Sequence, residues 1–178
     1  VQPEKGRVTS GAANALLGKV YLFQDKFSEA AEVLDQVIAG PYDLVDDYDA
    51  IFEHDGENGV ESVFEIQYSD AEGGSFDCLQ CSEGNVAVGF NGIRNYTGPE
   101  FDSGFSFNVP TQEVVDEFEE GDLRKDVAIL DIEQWAADNE ATYATGFEHT
   151  GYYNRKYIAR KGDLNTGDAN LTNPNNYR

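Results

Sequence analysis

The sequence predicts a mainly α chain with a minor β part. A helical hairpin comes first, followed by a large irregular, loop-rich lobe with a few short strands. Three observations predict this. Apolar residues recur at helical spacing from Ser10 to Ile38, and that period ends at Gly40-Pro41. Between Ser69 and Asn108 no period holds, and Gly is dense among scattered aromatics. The composition, 40% hydrophobic with 11 Phe and 10 Tyr, belongs to a packed chain and not to a disordered one.

The first helix is expected to start after Thr9 or Ser10, both good caps for free backbone N–H groups. Ala13, Leu16, Leu17, Val20 and Phe23 give it one apolar face. Gln24-Asp25-Lys26 turns the chain and Ser28 is expected to cap the second helix, where Ala30, Ala31, Leu34, Val37 and Ile38 repeat. Leu17-Gly18, Tyr21 and Ala30 stand where a tetratricopeptide unit carries its marker residues. One such hairpin cannot bury its apolar face alone, so Leu16, Val20, Leu34 and Ile38 are expected to be exposed unless another element covers them.

The boundary is therefore expected at residue 41, with a tetratricopeptide-like hairpin over 1–41 and the loop-rich lobe over 42–178. Within the lobe, ESVFEIQYS alternates and predicts a strand with Phe64, Ile66 and Tyr68 on one face. A loop of about 40 residues follows, a length usually tied to function in a compact domain. VPTQEVVDEFEEGD predicts a short helix with Thr111 as cap, Val114, Val115 and Phe118 inside, and Gly121 as stop. Trp135 lies on a second short helix, and YYNRKYIAR reads as a strand.

The chain carries 34 acidic and 12 basic residues, a net charge of −22. That field repels phosphate backbones and anionic headgroups, which argues against nucleic-acid and polybasic membrane roles. No apolar run approaches the roughly 20 residues of a membrane span. There is no Met, and both ends read as interior to a longer protein.

Few residues form a chemical constellation. Cys78-Leu-Gln-Cys81 lacks the second Cys or His pair of a zinc ribbon, and His54 and His149 are isolated. The expectation is a small surface disulfide between Cys78 and Cys81, with no metal. DLNTGDAN (163–170) begins like a calcium loop, but its Gly falls one place early and no Glu closes it. With the acidic stretch DLVDDYD it leaves calcium as an open alternative to no cofactor at all. No nucleophile elbow, Ser-His-Asp arrangement or phosphate-binding loop is present. The chain is expected to be no enzyme.

The aromatic residues say more. Ring faces stack on sugar C–H groups, while Arg and Asn bind hydroxyls. FNGIRNYTGPEF supplies both within twelve residues, so Phe90, Asn91, Arg94, Asn95 and Tyr96 form the candidate site. Tyr96 is its expected stacking platform, with Trp135 as a further candidate. The competing reading is that these rings only pin a long loop onto the core.

The order of motifs is specific. GRVTSGAANALLGKVYL, FSEAAEVLDQVIAGPYDLV, ESVFEIQYS, GFSFNVPTQEVVDEFEEGDLRKD, GYYNRKYI and NNYR together resemble the SusD/RagB family of outer-membrane nutrient-binding lipoproteins. The resemblance covers nearly the whole chain. It implies a SusD-like domain truncated at both ends, with hairpin scaffold and ligand lobe as parts of one domain. It also implies a surface protein, lipid-anchored through a residue outside this sequence, that captures oligosaccharide and passes it to a SusC-like TonB-dependent transporter. A protein-docking module built on the hairpin and a peptide-binding member of the same family are the alternative expectations.

Overall fold

The computed structural model describes residues 4–71, 74–75, 77–78, 83–163 and 173–174. The chain divides into two compact units, the first running to Gln67 and the second beginning at Tyr68. The described part is mostly helical with a few short strands, and no described helix is long and apolar enough to cross a membrane.

In the first unit, helix α1 (Ser10–Leu22) begins at Thr9, whose hydroxyl accepts from the Ala12 N–H at 3.0 Å. Helix α2 (Phe27–Ile38) returns alongside it. Ala30 is fully buried between the helices, and a Cβ at Gly18 would stand 2.6 Å from the Leu34 side chain. The Leu-Gly pair thus lets Leu34 sit against the α1 backbone. Leu34 is half-buried for that reason, against expectation, while Leu16, Val20 and Ile38 are exposed. Ser28 does not cap α2. The helix starts at Phe27 behind Lys26, without a side-chain cap, because Asp25 turns left-handed and Lys26 N–H bonds back to the Tyr21 carbonyl.

The expected boundary at residue 41 falls inside this unit. Tyr42 lies beside Gly11, its hydroxyl 3.2 Å from that of Thr9, so the chain beyond Pro41 stays on the hairpin. Two 3-10 turns, Ala50–Phe52 and His54–Gly56, follow. The alternating segment 61–69 is not a strand; only Ile66 makes an isolated bridge. Its polarity is inverted as well. Glu65 is 3% exposed and accepts from the Asn58 N–H at 2.8 Å, while Phe64 and Ile66 lie open. A backbone N–H in a left-handed turn requires an acceptor, and the carboxylate supplies it. Val8, Ala12, Leu16, Val20, Val63 and Phe64 line an apolar groove of about 740 Å³.

The second unit folds the expected 40-residue loop more than its sequence suggests. Helix α3 (Val86–Asn91) is capped by the Asn85 side chain. Strands β1 (Ile93–Arg94) and β2 (Ser103–Gly104) pair in parallel, Ile93 opposite Ser103. Helix α4 (Gln112–Asp116) starts behind Thr111, which takes the cap position without making a side-chain cap bond, with Val115 buried but Val114 turned outward. Helix α5 (Arg124–Ala128) runs into strand β3 (Ile129–Asp131) and helix α6 (Ile132–Asp138), capped by Asp131. Strand β4 (Tyr152–Asn154) is antiparallel to β3 and leads into a 3-10 turn, Arg155–Tyr157, so only the start of YYNRKYIAR is strand.

Ile93, Tyr96, Phe101, Leu130, Ile132, Tyr153 and Ile158 form the core. Val109, Trp135, Ala141 and Tyr143 pack against it. Arg160 closes one side, its guanidinium 4.9 Å from the Phe101 ring centre and donating to the carbonyls of Arg155 and Ile158. A desolvated cation over a ring gains from the negative π face while its N–H groups stay satisfied.

Candidate functional site

Ser106 stands between two rings of the second unit, Phe105 and Phe107. In an extended run the side chains of Phe105 and Phe107 would share one face. Ser106 instead takes the left-handed conformation (φ 56°), which is costly for a residue with a Cβ. Hydrogen bonds hold it there. Its hydroxyl accepts from the Arg94 N–H at 3.0 Å, lies 2.8 Å from the Tyr153 hydroxyl, and its own N–H donates to the Gly92 carbonyl at 2.9 Å. Ser106→Ala is expected to cost about 1–2 kcal/mol, since it strips partners from a buried backbone donor and a core phenol; urea denaturation measures it.

Three phenylalanines meet around this turn. The Phe105 and Phe107 rings stack with centres 5.7 Å apart, and Phe90 stands 6.4 and 6.0 Å from them. The N–H groups of Phe107 and Asn108 both donate to the Phe90 carbonyl, tying the turn to α3. Phe107 is 68% exposed and Phe90 39%, so this is a ridge with open ring faces and not a core. Arg94 runs beside it. Its Cζ lies 5.7 Å from the Phe107 ring centre and its Nη2 donates to the Phe105 carbonyl, which fixes the fork against the ridge. Beneath, the buried Asn91 amide donates to the Ala87 carbonyl and accepts from Asn108 at 2.8 Å.

The structure divides the six expected site residues. Phe90 and Arg94 meet at the ridge, and Asn95 is exposed next to them in a left-handed turn. Asn91 supports the ridge from below and does not face solvent. Tyr96 is not a stacking platform. It is 6% exposed, its hydroxyl donates to the Pro99 carbonyl at 2.7 Å and accepts from the Trp135 indole at 2.9 Å, and its ring meets Phe101 edge-on. Burial pushes the Tyr96 phenol up in pKa, with the Trp135 hydrogen bond opposing. Trp135 packs on the same core, 5.1 Å from Phe101. Tyr96 therefore belongs to the core, and Trp135 is half-buried against it, its indole N–H held by the Tyr96 hydroxyl.

Phe105 and Phe107 were missing from the sequence-derived site. Their signal was two rings spaced two apart among small residues, SGFSFN. Cys81 lies outside the described residues, as does DLNTGDAN beyond Asp163, so the Cys78–Cys81 pairing and a calcium loop there remain expectations. Among the described residues no three His, Cys, Asp or Glu side chains converge as metal ligands.

No family model and no curated protein matches the sequence. Solved structures do. A laminarin-binding SusD-like protein aligns over 99% of this chain at 34% identity and a TM-score of 0.86. The chain belongs to the SusD/RagB family. Surface glycan-binding protein A from Bacteroides fluxus matches the whole of this SusD-like chain at 30% identity and a TM-score of 0.84. The Bacteroides thetaiotaomicron protein of that name, solved with laminarihexaose, matches it at 25% identity and 0.84. The SusD-like chain spans 41%, 38% and 41% of these three proteins.

Proposed function

We propose that this chain is part of a cell-surface glycan-binding protein that binds without cleaving and delivers oligosaccharide to a SusC-like TonB-dependent transporter in the outer membrane. The observation that carries the reading is the open Phe90–Phe105–Phe107 ridge with Arg94 held beside it. Apolar ring faces left in water forfeit burial, and flat sugar C–H faces are a ligand that recovers it. The SusD-like proteins it resembles, described as binding laminarin or glycans, support the ligand class. A net charge of −22 favours an uncharged glycan over a polyanion.

Phe107→Ala is expected to weaken laminarihexaose binding about tenfold with the melting temperature unchanged, since an exposed anchor ring serves affinity and not folding. Calorimetric titration with a thermal melt checks both. Undiminished affinity in the folded variant would sink the ridge assignment. The apolar groove along α1 favours a second reading, a protein-docking hairpin. Under it, Leu16→Glu abolishes a partner complex and leaves sugar binding intact.

A further inference from the structure

We propose that the loop 142–151 is a second wall of this site and that Phe147 is a second sugar-stacking ring, an assignment that rests on the glycan reading of the ridge. Phe147 is 89% exposed, more than any other large apolar side chain among the described residues. Chance exposure of that kind belongs on a slack loop, but this one is tied at both ends. Thr97 and Thr142 exchange two backbone hydrogen bonds of 2.8 Å, and Ala144 N–H donates to the Arg94 carbonyl at 2.9 Å. At the far end the Ile132 N–H donates to the Gly151 carbonyl at 3.0 Å. Between them His149 lies against Tyr143 and Tyr153, ring centres 5.6 and 6.3 Å apart, and anchors the loop's inner side to the core.

The tip itself is shaped. Gly146 (φ 62°) and Glu148 (φ 53°) flank Phe147 in left-handed conformations, and the second is not a glycine. Such strain persists where surrounding structure fixes it, and it clusters at ligand clamps. A Cβ on Gly146 would lie 3.1 Å from Arg94 Nε, so the tip backbone runs against the same guanidinium that flanks Phe107. Arg94 therefore touches both ridge and loop, and Phe147 directly follows the glycine that meets it. An exposed ring on each of the two segments that meet Arg94 suits a ligand with repeated apolar faces and hydroxyl edges, which an oligosaccharide chain is.

The test compares laminaritriose with laminarihexaose by calorimetric titration of the purified protein, with thermal melts as the folding control. Wild type is expected to bind the hexaose more tightly. Phe147→Ala should weaken the hexaose about fivefold, leave the triose within about twofold and keep the melting temperature. Phe147→Tyr should restore the hexaose. Wild-type affinity of Phe147→Ala for both sugars, with Phe107→Ala still impaired, overturns this inference alone. An equal loss on both lengths overturns the second-wall geometry. Failure of wild type to bind either sugar removes the glycan reading, and this inference with it.

Discussion

Tyr96→Ala loses about 3–5 kcal/mol of stability, measured by chemical denaturation, and any loss of sugar affinity accompanies that unfolding. The ring is a core member beside Phe101, Ile93 and Tyr153, so its removal leaves a cavity that rigid neighbours cannot close. The substitution also deprives the Trp135 indole N–H of its acceptor, adding the cost of an unpaired buried donor. Against a typical domain stability of about 5–15 kcal/mol this takes a large share. Tyr96→Phe separates the two contributions, since it keeps the ring and removes only the hydroxyl. It should cost about 1–2 kcal/mol, through the Pro99 and Trp135 partners alone. A Tyr96→Ala protein as stable as wild type would show that the ring is not in the core.

Gly104→Ala is expected to reach the upper end of the roughly 1–3 kcal/mol that overpacking costs. Strands β1 and β2 approach so closely at Gly92 and Gly104 that a Cβ on Gly104 would meet the Gly92 backbone, and one on Gly92 would stand 2.7 Å from the Gly104 Cα. Neither obstacle is a flexible side-chain end, so the backbones must part. Parting them lengthens the bond from Ser106 N–H to the Gly92 carbonyl and that from Phe105 N–H to the Gly89 carbonyl, and those bonds set the ring ridge. Gly104→Ala should therefore lower sugar affinity as well as stability, unlike Phe107→Ala. Denaturation and titration of the same preparation check the pair of effects. A fully stable Gly104→Ala variant would mean that the two backbones part there without cost.

The two substitutions differ in kind, and the difference explains what could be read from residues alone. The hairpin was legible because its determinants are local. Thr9 caps the N–H groups that follow it, and Gly18 and Ala30 stand at spacings fixed by the 3.6-residue turn. The motif order was also sufficient to indicate the family. The strand expected at 61–69 failed because alternation specifies two faces without naming a ladder partner, and because the Asn58 turn recruits Glu65 inward.

The site was legible only as a neighbourhood. FNGIRNYTGPEF supplies Phe90 and Arg94 to the candidate ridge, but nothing in its one-dimensional order separates Phe90, which stays half open, from Tyr96, which is buried six residues later. That separation depends on Trp135, thirty-nine residues further along, arriving to bond the Tyr96 hydroxyl. It depends equally on Tyr153 meeting the left-handed Ser106 between the stacked Phe105 and Phe107 rings. By itself, then, the sequence determined the hairpin, the family and the presence of an aromatic-rich, loop-rich lobe, because helix caps, periodicity and motif order act over a few residues. Which rings face water and which form the core was decided only by tertiary contacts, because burial belongs to whatever distant segment packs against a side chain.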